Sequence, residues 1–340
     1  MSEPAVLVFA YHDVGYVCLE ELLRRDARAV ALITHEDDPK ENRWFRSVTE
    51  LAQKHGIPVY KPDSVNSEEW LLRIRALRPD VIFSFYYRHL IPETILKLPR
   101  LGAFNLHGSL LPKYRGRVPI NWAIIHGETQ TGATLHHMVA KPDAGDIVDQ
   151  QAVPIGPMET AREVFDKVAA AARQVVARQW DNIRSGKAPR MPQDPAQASY
   201  YGGRKPEDGR IDWCLGAREI FNLVRAVTHP YPGAFTELDG RRLFIWWALP
   251  RREAANAPSL VAGRASEASR ASESARGPRL APIGEAGSEP PGTVVATAPL
   301  HIATGQGSLE VLRLQWANGE EQDAATAGLK LGQVLGTPPK

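Results

Sequence analysis

Short apolar runs alternate with stretches of helical periodicity through the first half of the chain. Ala5–Ala10, residues 29–34, 59–60, Val81–Phe85 and 103–106 are brief and rich in Val, Ile and Phe, which predicts strands. Between them, residues 17–25, 44–55 and Glu68–Leu77 repeat apolar positions three and four apart, which predicts helices. Strand and helix in strict alternation predict an α/β fold with a doubly wound parallel sheet, because parallel neighbours need crossover connections. Gly56 and Pro79 punctuate the ends of two of these helices.

The pattern then shifts. A short helix is expected over 120–126, followed by strand-like runs at 132–139 and 147–153 that flank the loop K-P-D-A-G-D. From 160 to 180 an apolar stripe of Val164, Phe165, Val168, Ala172, Val175 and Val176 predicts a long amphipathic helix packed on the sheet. Residues 189–209 are rich in Pro, Gly and polar side chains and read as a linker, and Ala217–Val227 as one more helix. Beyond it, Ala234–Leu238, 243–248, 292–296, Leu300–Ala303 and 309–314 are short strand candidates, enough for a small β-barrel. The expected layout is a domain over 1–188, a linker over 189–209 and a second domain over 210–335. Residues 251–291 carry no aromatic side chain and read as a disordered insertion in the second domain. No internal repeat is evident.

Composition agrees with two globular units and excludes several classes. A chain of 340 residues exceeds one ordinary domain, and 43% hydrophobic residues are enough for a buried core. A net charge of +2 gives no electrostatic reason to expect a nucleic-acid or membrane-surface partner. Cys18 and Cys214 are the only cysteines and form no CxxC, which excludes a disulfide framework and a cysteine-based zinc site and fits a reducing, cytoplasmic setting. No basic leader precedes the first apolar run, and no apolar segment approaches the roughly 20 residues of a membrane span.

Candidate chemistry centres on G-A-F-N-L-H-G-S-L-L-P-K-Y-R-G-R, residues 102–117. Asn105 and His107 lie two apart at the end of a predicted strand, so both side chains point to one face. Gly108, Pro112 and Gly116 then open the strand into a loop. Asn bonding a turn and His satisfying a core carbonyl is the competing reading, and Asp143 in K-P-D-A-G-D tips the balance. A carboxylate beside an imidazole fixes its tautomer and favours its charged form, and a neighbouring amide N–H can stabilise an oxyanion. No hydroxyl or thiol with a supporting motif stands nearby, which suggests direct transfer to an incoming nucleophile. A metal is the weaker reading of His107, His136, His137 and Asp143, since adjacent His136 and His137 point to opposite faces of a strand. Near the N-terminus, F-A-Y-H-D-V-G-Y has only Gly15 where a dinucleotide fingerprint needs three glycines, so Tyr11 and His12 are as readily ordinary loop residues. Arg115 and Arg117 suit either an anion or plain solvent exposure.

F-N-L-H-G-S-L-L-P-K-Y-R-G-R with P-I-N-W-A and D-A-G-D-I-V resembles the enzymes that transfer a formyl group from N10-formyltetrahydrofolate. F-A-Y-H-D-V-G, F-S-F-Y-Y-R-H-L-I and R-A-V-T-H-P-Y-P-G-A-F are similar to the formyltransferase portion of the bifunctional polymyxin-resistance enzyme, which formylates UDP-4-amino-4-deoxy-L-arabinose. The likeness spans residues 5–250 and resumes weakly from Gly292; the fused dehydrogenase/decarboxylase portion and a counterpart to 251–291 are its departures. It implies a Rossmann-like folate domain, a C-terminal barrel resembling an oligonucleotide-binding fold, and catalytic Asn105, His107 and Asp143. It also implies folate contacts from His89, Leu90 and Ile91, from Arg117, and from Val139, Ala140, Lys141, Pro142 and Asp143. The implied co-substrate is N10-formyltetrahydrofolate with no metal. The implied partners are small molecules, the folate donor and an amino sugar nucleotide, without nucleic acid or membrane insertion. A homo-oligomer and a separate UDP-glucuronic acid decarboxylase are left open. Methionyl-tRNA formyltransferase is the rival within this chemistry, weakened by the acidic H-E-D-D-P-K-E-N-R-W after Thr34 and by the near-neutral charge. Glycinamide ribonucleotide formyltransferase does not need a C-terminal domain. A non-catalytic folate or nucleotide-binding module and a nicotinamide oxidoreductase are the readings from other classes.

Overall fold

The computed structural model describes residues 3–37, 42–251 and 289–336. The chain divides into two compact units, Met1–Asp208 with Arg225–Pro232, and Gly209–Val224 with Gly233–Lys340. The division falls inside the helix Ala217–Val227.

The first unit begins β1 (Ala5–Ala10), α1 (His12–Arg24), β2 (Arg28–Ile33), α2 (Val48–Lys54), β3 (Val59–Tyr60), α3 (Glu68–Leu77), β4 (Val81–Phe85), α4 (Glu93–Leu96) and β5 (Ala103–His107). It continues with β6 (Arg115–Gly116), α5 (Pro119–Ile125), β7 (Gln130–His137), β8 (Ile147–Pro154), α6 (Ala161–Arg184) and β9 (Tyr200–Tyr201). The main sheet has the order β3-β2-β1-β4-β5-β7-β8. Its first five strands are parallel, and the winding reverses between β1 and β4, where open α/β sheets leave a crevice beyond the carboxyl ends of the strands. β7 runs antiparallel to β5, and β8 to β7, so the sheet is mixed where a parallel one is expected. The loop 138–146 between β7 and β8 is shorter than the dozen or so residues of a crossover, so these two neighbours must run antiparallel.

Burial follows the pattern that predicts the strands. Every residue of β1 and β4 is buried, as suits strands covered on both faces. α6 puts Val164, Phe165, Val168, Ala172, Val175 and Val176 into the core against α1, β7 and β8. It begins with a capping box of Thr160 and Glu163, and its buried stripe includes Trp180, the expected end, and continues to Ile183. Helix starts differ from expectation at both ends of the range. α1 opens at His12, directly after β1, and α2 only at Val48, where Ser47 accepts from the Glu50 N–H at 3.2 Å.

The stretch expected to be a linker belongs, through Asp208, to the first unit. Met191 exchanges two backbone hydrogen bonds with Ile147, and β9 pairs in parallel with β6. Backbone pairing thus holds as part of the fold a segment whose composition suggests a tether.

The second unit carries α7 (Ala217–Val227), shared as noted, and β10 (Ala234–Leu238), β11 (Arg241–Arg251), β12 (Val294–Thr297), β13 (Leu300–Ala303), β14 (Ser308–Trp316) and β15 (Glu321–Asp323). They form an antiparallel sheet in the order β10-β11-β14-β13-β12, with β15 on β14. Among the described residues no pairing joins β10 to β12, so the expected barrel is an unclosed sheet. Leu243, Ile245, Ala248, Ile302, Leu309 and Leu314 form its buried side. Of the expected insertion at 251–291, residues 252–288 lie outside the described residues. Among the described residues no helix is long and apolar enough to cross a membrane.

Candidate active site

β5 ends one strand beyond the switch in winding, and its extended backbone turns Asn105 and His107 to one face. β4 pairs with it in parallel on one side, Ser84 against Asn105, and β7 antiparallel on the other, His136 against Asn105 and Thr134 against His107. Past His107 the chain must leave the sheet at once. Gly108 permits it, since a Cβ there would lie 2.0 Å from the Tyr86 hydroxyl. The loop that follows is pinned by Thr134, whose hydroxyl donates to the Ser109 carbonyl at 2.6 Å and accepts from the Leu111 N–H at 3.1 Å. The Ser109 hydroxyl donates to the Lys113 carbonyl at 2.7 Å. This folding brings the Tyr114 carbonyl to within 2.7 Å of His107 Nε2, which must donate to it.

Asp143 enters from the β7–β8 loop with φ 55°, a left-handed conformation that Asp tolerates better than most residues. Its Oδ2 accepts from the Gly116 N–H at 2.9 Å. Its Oδ1 stands 3.6 Å from His107 Nδ1 and 3.6 Å from His136 Nε2. Burial would raise the pKa of this carboxyl, but the His107 imidazole and the Gly116 amide outweigh it and hold the group well below the ordinary carboxylate range. His107 is itself buried, at 6% exposure, so its interaction with the carboxylate is little screened. His136 Nε2 also lies 3.1 Å from Asn105 Nδ2, while its Nδ1 donates to the His137 carbonyl at 2.9 Å. His137 turns the other way, to the Pro189 carbonyl at 2.9 Å, as strand alternation requires. Burial lowers its pKa, with the Pro189 carbonyl opposing in part.

The loop carrying Asp143 is braced by a residue that sequence reasoning assigned to the linker. Gln193 donates through Nε2 to the Asp143 carbonyl at 2.9 Å and the Gly145 carbonyl at 2.6 Å. Its Oε1 accepts from Arg115 Nε at 3.2 Å and Nη2 at 2.6 Å. Arg115 is buried and also donates to the Tyr200 hydroxyl, so its guanidinium serves this brace and not an external anion. A single Gln in a Pro-rich stretch carries no signal of such a role.

The structure thus gathers Asn105, His107 and Asp143, and adds His136. Arg117 is exposed and lies along Gly203, one residue beyond the Gly116 amide that Asp143 uses. Val139, Ala140, Lys141 and Pro142 are exposed on the loop leading to Asp143, with the Lys141 ammonium 5.1 Å from the centre of the Tyr200 ring. His89 and Leu90 stand apart from these on the segment after β4. His89 is exposed and edge-on to His35 and Tyr87 at 4.7 and 5.7 Å, and Leu90 is exposed. Ile91 follows them, with its side chain buried in the core beside Leu7, Phe9 and Ile95. At the end of β1, His12 packs among Trp44, Phe45 and Phe165, and burial drives its pKa down to about 3. Tyr11 donates to Asp37 at 3.1 Å.

A family model for formyl transferase matches residues 5–179, and a model for the formyl transferase C-terminal domain matches residues 204–328. The chain belongs to the formyl transferase family. Solved structures share the fold of this formyl transferase at low identity. WlaRD, a sugar 3N-formyl transferase solved in the presence of dTDP and 5-N-formyl-THF, is 17% identical with a TM-score of 0.60, over 94% of this chain and 100% of its own. A sugar N-formyltransferase from a Shewanella species is 17% identical with a TM-score of 0.58, over 72% of this chain and 96% of its own. HypX from Aquifex aeolicus in complex with tetrahydrofolic acid is 17% identical with a TM-score of 0.58, over 95% of this chain and 46% of its own. This formyl transferase therefore spans about half the length of HypX.

Proposed function

We propose that this protein transfers the formyl group of N10-formyltetrahydrofolate to the amine of a sugar nucleotide, with UDP-4-amino-4-deoxy-L-arabinose as acceptor and lipid A modification as the setting. The observation that carries the chemistry is the convergence of Asn105, His107 and Asp143 at the end of β5. The sugar acceptor is supported by the sugar N-formyltransferases among the proteins that share the fold, and its identity by the motifs around Tyr11, Tyr86 and His229.

Each residue has a stated task. The acceptor amine attacks the formyl carbon, and the carbonyl oxygen gains negative charge. The Asn105 amide N–H and the His107 imidazolium face that charge, in a setting where buried donors act more strongly than in water. Asp143 stands beside the ring, where it stabilises positive charge that develops on His107 during transfer. The Nε2 bond to the Tyr114 carbonyl must be exchanged for one to substrate before His107 delivers a proton to the departing folate nitrogen. The exposed loop residues Val139, Ala140, Lys141 and Pro142, with Arg117, His89 and Leu90, are the proposed folate-side contacts.

The test is a panel of UDP- and dTDP-linked 3-amino and 4-amino sugars incubated with N10-formyltetrahydrofolate, with release of tetrahydrofolate followed by absorbance and the product by mass. Formylation of UDP-4-amino-4-deoxy-L-arabinose is the expected result. Preference for another amino sugar revises the acceptor, and turnover only with aminoacylated initiator tRNA overturns the sugar reading.

A further inference from the structure

We propose that His136 is a positioning residue that sets the orientation of the Asn105 side-chain amide, an inference that rests on the formyl-transfer reading for its catalytic consequence. An asparagine amide has two ends of nearly equal shape and opposite polarity. Rotation about its Cβ–Cγ bond by half a turn would present a carbonyl oxygen to the developing oxyanion, which repels it, in place of an N–H, which stabilises it. Something must choose between them, and the strand register supplies it. Asn105 and His136 face each other across the antiparallel β5–β7 pair.

For a neutral His136 ring the hydrogen-bond directions leave one assignment. The His137 carbonyl can only accept, so Nδ1, at 2.9 Å, is the donor. Nε2 then presents its lone pair, and Asn105 Nδ2 at 3.1 Å fills it. One N–H of the amide is fixed on His136, and the second N–H of the same nitrogen is left for the formyl oxygen. His136 is 2% exposed, so no solvent molecule competes readily for the bond. The ring is rigidly seated, because its other nitrogen is tied to the backbone of its own strand. Its 3.6 Å separation from Asp143 Oδ1 is too long for a hydrogen bond, while the 3.1 Å contact with Asn105 is not.

The experiment compares His136→Phe, which fills the space without an acceptor, with His136→Gln, whose side-chain oxygen can accept from Asn105. Losing an oxyanion donor costs roughly 100- to 1,000-fold in turnover. Loss of its orientation alone should cost less, about 10- to 100-fold in kcat for His136→Phe, with KM for both substrates within about threefold, since the effect is on the transition state. His136→Gln should recover most of that loss. In an Asn105→Ala background, His136→Phe should add little, because its route runs through Asn105. Full additivity there, or equal turnover of His136→Phe and the parent, overturns the inference, as does failure of a folded His136→Gln to recover more than His136→Phe. An independent readout is the side-chain amide resonance pair of Asn105 in nitrogen–proton correlation spectra. One proton should be shifted and protected from exchange in the parent, and lose both properties in His136→Phe. If the parent transfers no formyl group to any amino sugar nucleotide but the resonance pair responds as described, the function reading fails and the positioning stands. An Asn105 amide indifferent to His136 ends the inference whatever the activity.

Discussion

Replacing Asp143 by Asn removes a negative charge while leaving the shape of the side chain and an oxygen able to accept from the Gly116 N–H. The site loses the electrostatic partner of His107. At the 3.6 Å between Oδ1 and Nδ1, unit charges attract by about 4 to 5 kcal/mol with an effective permittivity of roughly 20. By the relation of about 1.4 kcal/mol per tenfold, losing an attraction of that size from the transition state corresponds to on the order of a thousandfold in rate. Part of it is screened, because the Asp143 side chain keeps 12% exposure. We therefore expect kcat to fall by about 100- to 1,000-fold, together with a lower melting temperature, since the interactions that hold the Asp143 carboxyl ionised also stabilise the fold. Single-turnover formation of tetrahydrofolate, measured by rapid mixing, isolates the chemical step from product release. A folded Asp143→Asn variant with more than a tenth of the parental rate would show that the carboxylate does not act as the charge partner of His107.

Further outcomes follow from the same structure. Asn105→Ala and His107→Ala should each fold, shown by unchanged circular dichroism, and lose on the order of 100-fold or more in turnover, because each removes a group facing the oxyanion. Gln193→Glu should retain the pairing with Arg115 but turn a carboxylate toward the Asp143 and Gly145 carbonyls, so turnover falls while thermal stability is largely kept; turnover equal to the parent would discount the brace. Glu21 gives a pH test. Burial opposes its ionisation, but bonds from Arg24, Arg25 and Arg173 bring its pKa from 4.5 down to about 2. Its folded-state value is depressed, so its contribution is complete above about pH 4.5 and is lost as pH falls toward 2, amounting to at most about 3 kcal/mol. Urea unfolding at pH 7 and pH 3 should show a smaller difference in Glu21→Gln than in the parent.

What the sequence makes legible here depends on whether a feature is local. Period-two spacing places Asn105 and His107 together, and the same alternation separates His136 from His137, because both facts follow from one strand. That His136 stands opposite Asn105 is a matter of register between two strands, which no single segment encodes. The reversal of β7 is hidden for a similar reason, since a strand reads alike in either direction. Gln193 and the occupied guanidinium of Arg115 escape because the partners are 78 positions apart.

The change of strand direction at β5 has a consequence for how such a site can diversify. Because β7 runs against β5, Asn105 and His136 meet at facing positions held by the ladder itself, and the chemical pair is part of the scaffold. Loops 108–114 and 138–146 reach the same point from outside the ladder. Exchange of loop sequence can therefore retarget what is bound with little demand on the strands that carry the reaction, so a new acceptor specificity needs no new catalytic apparatus.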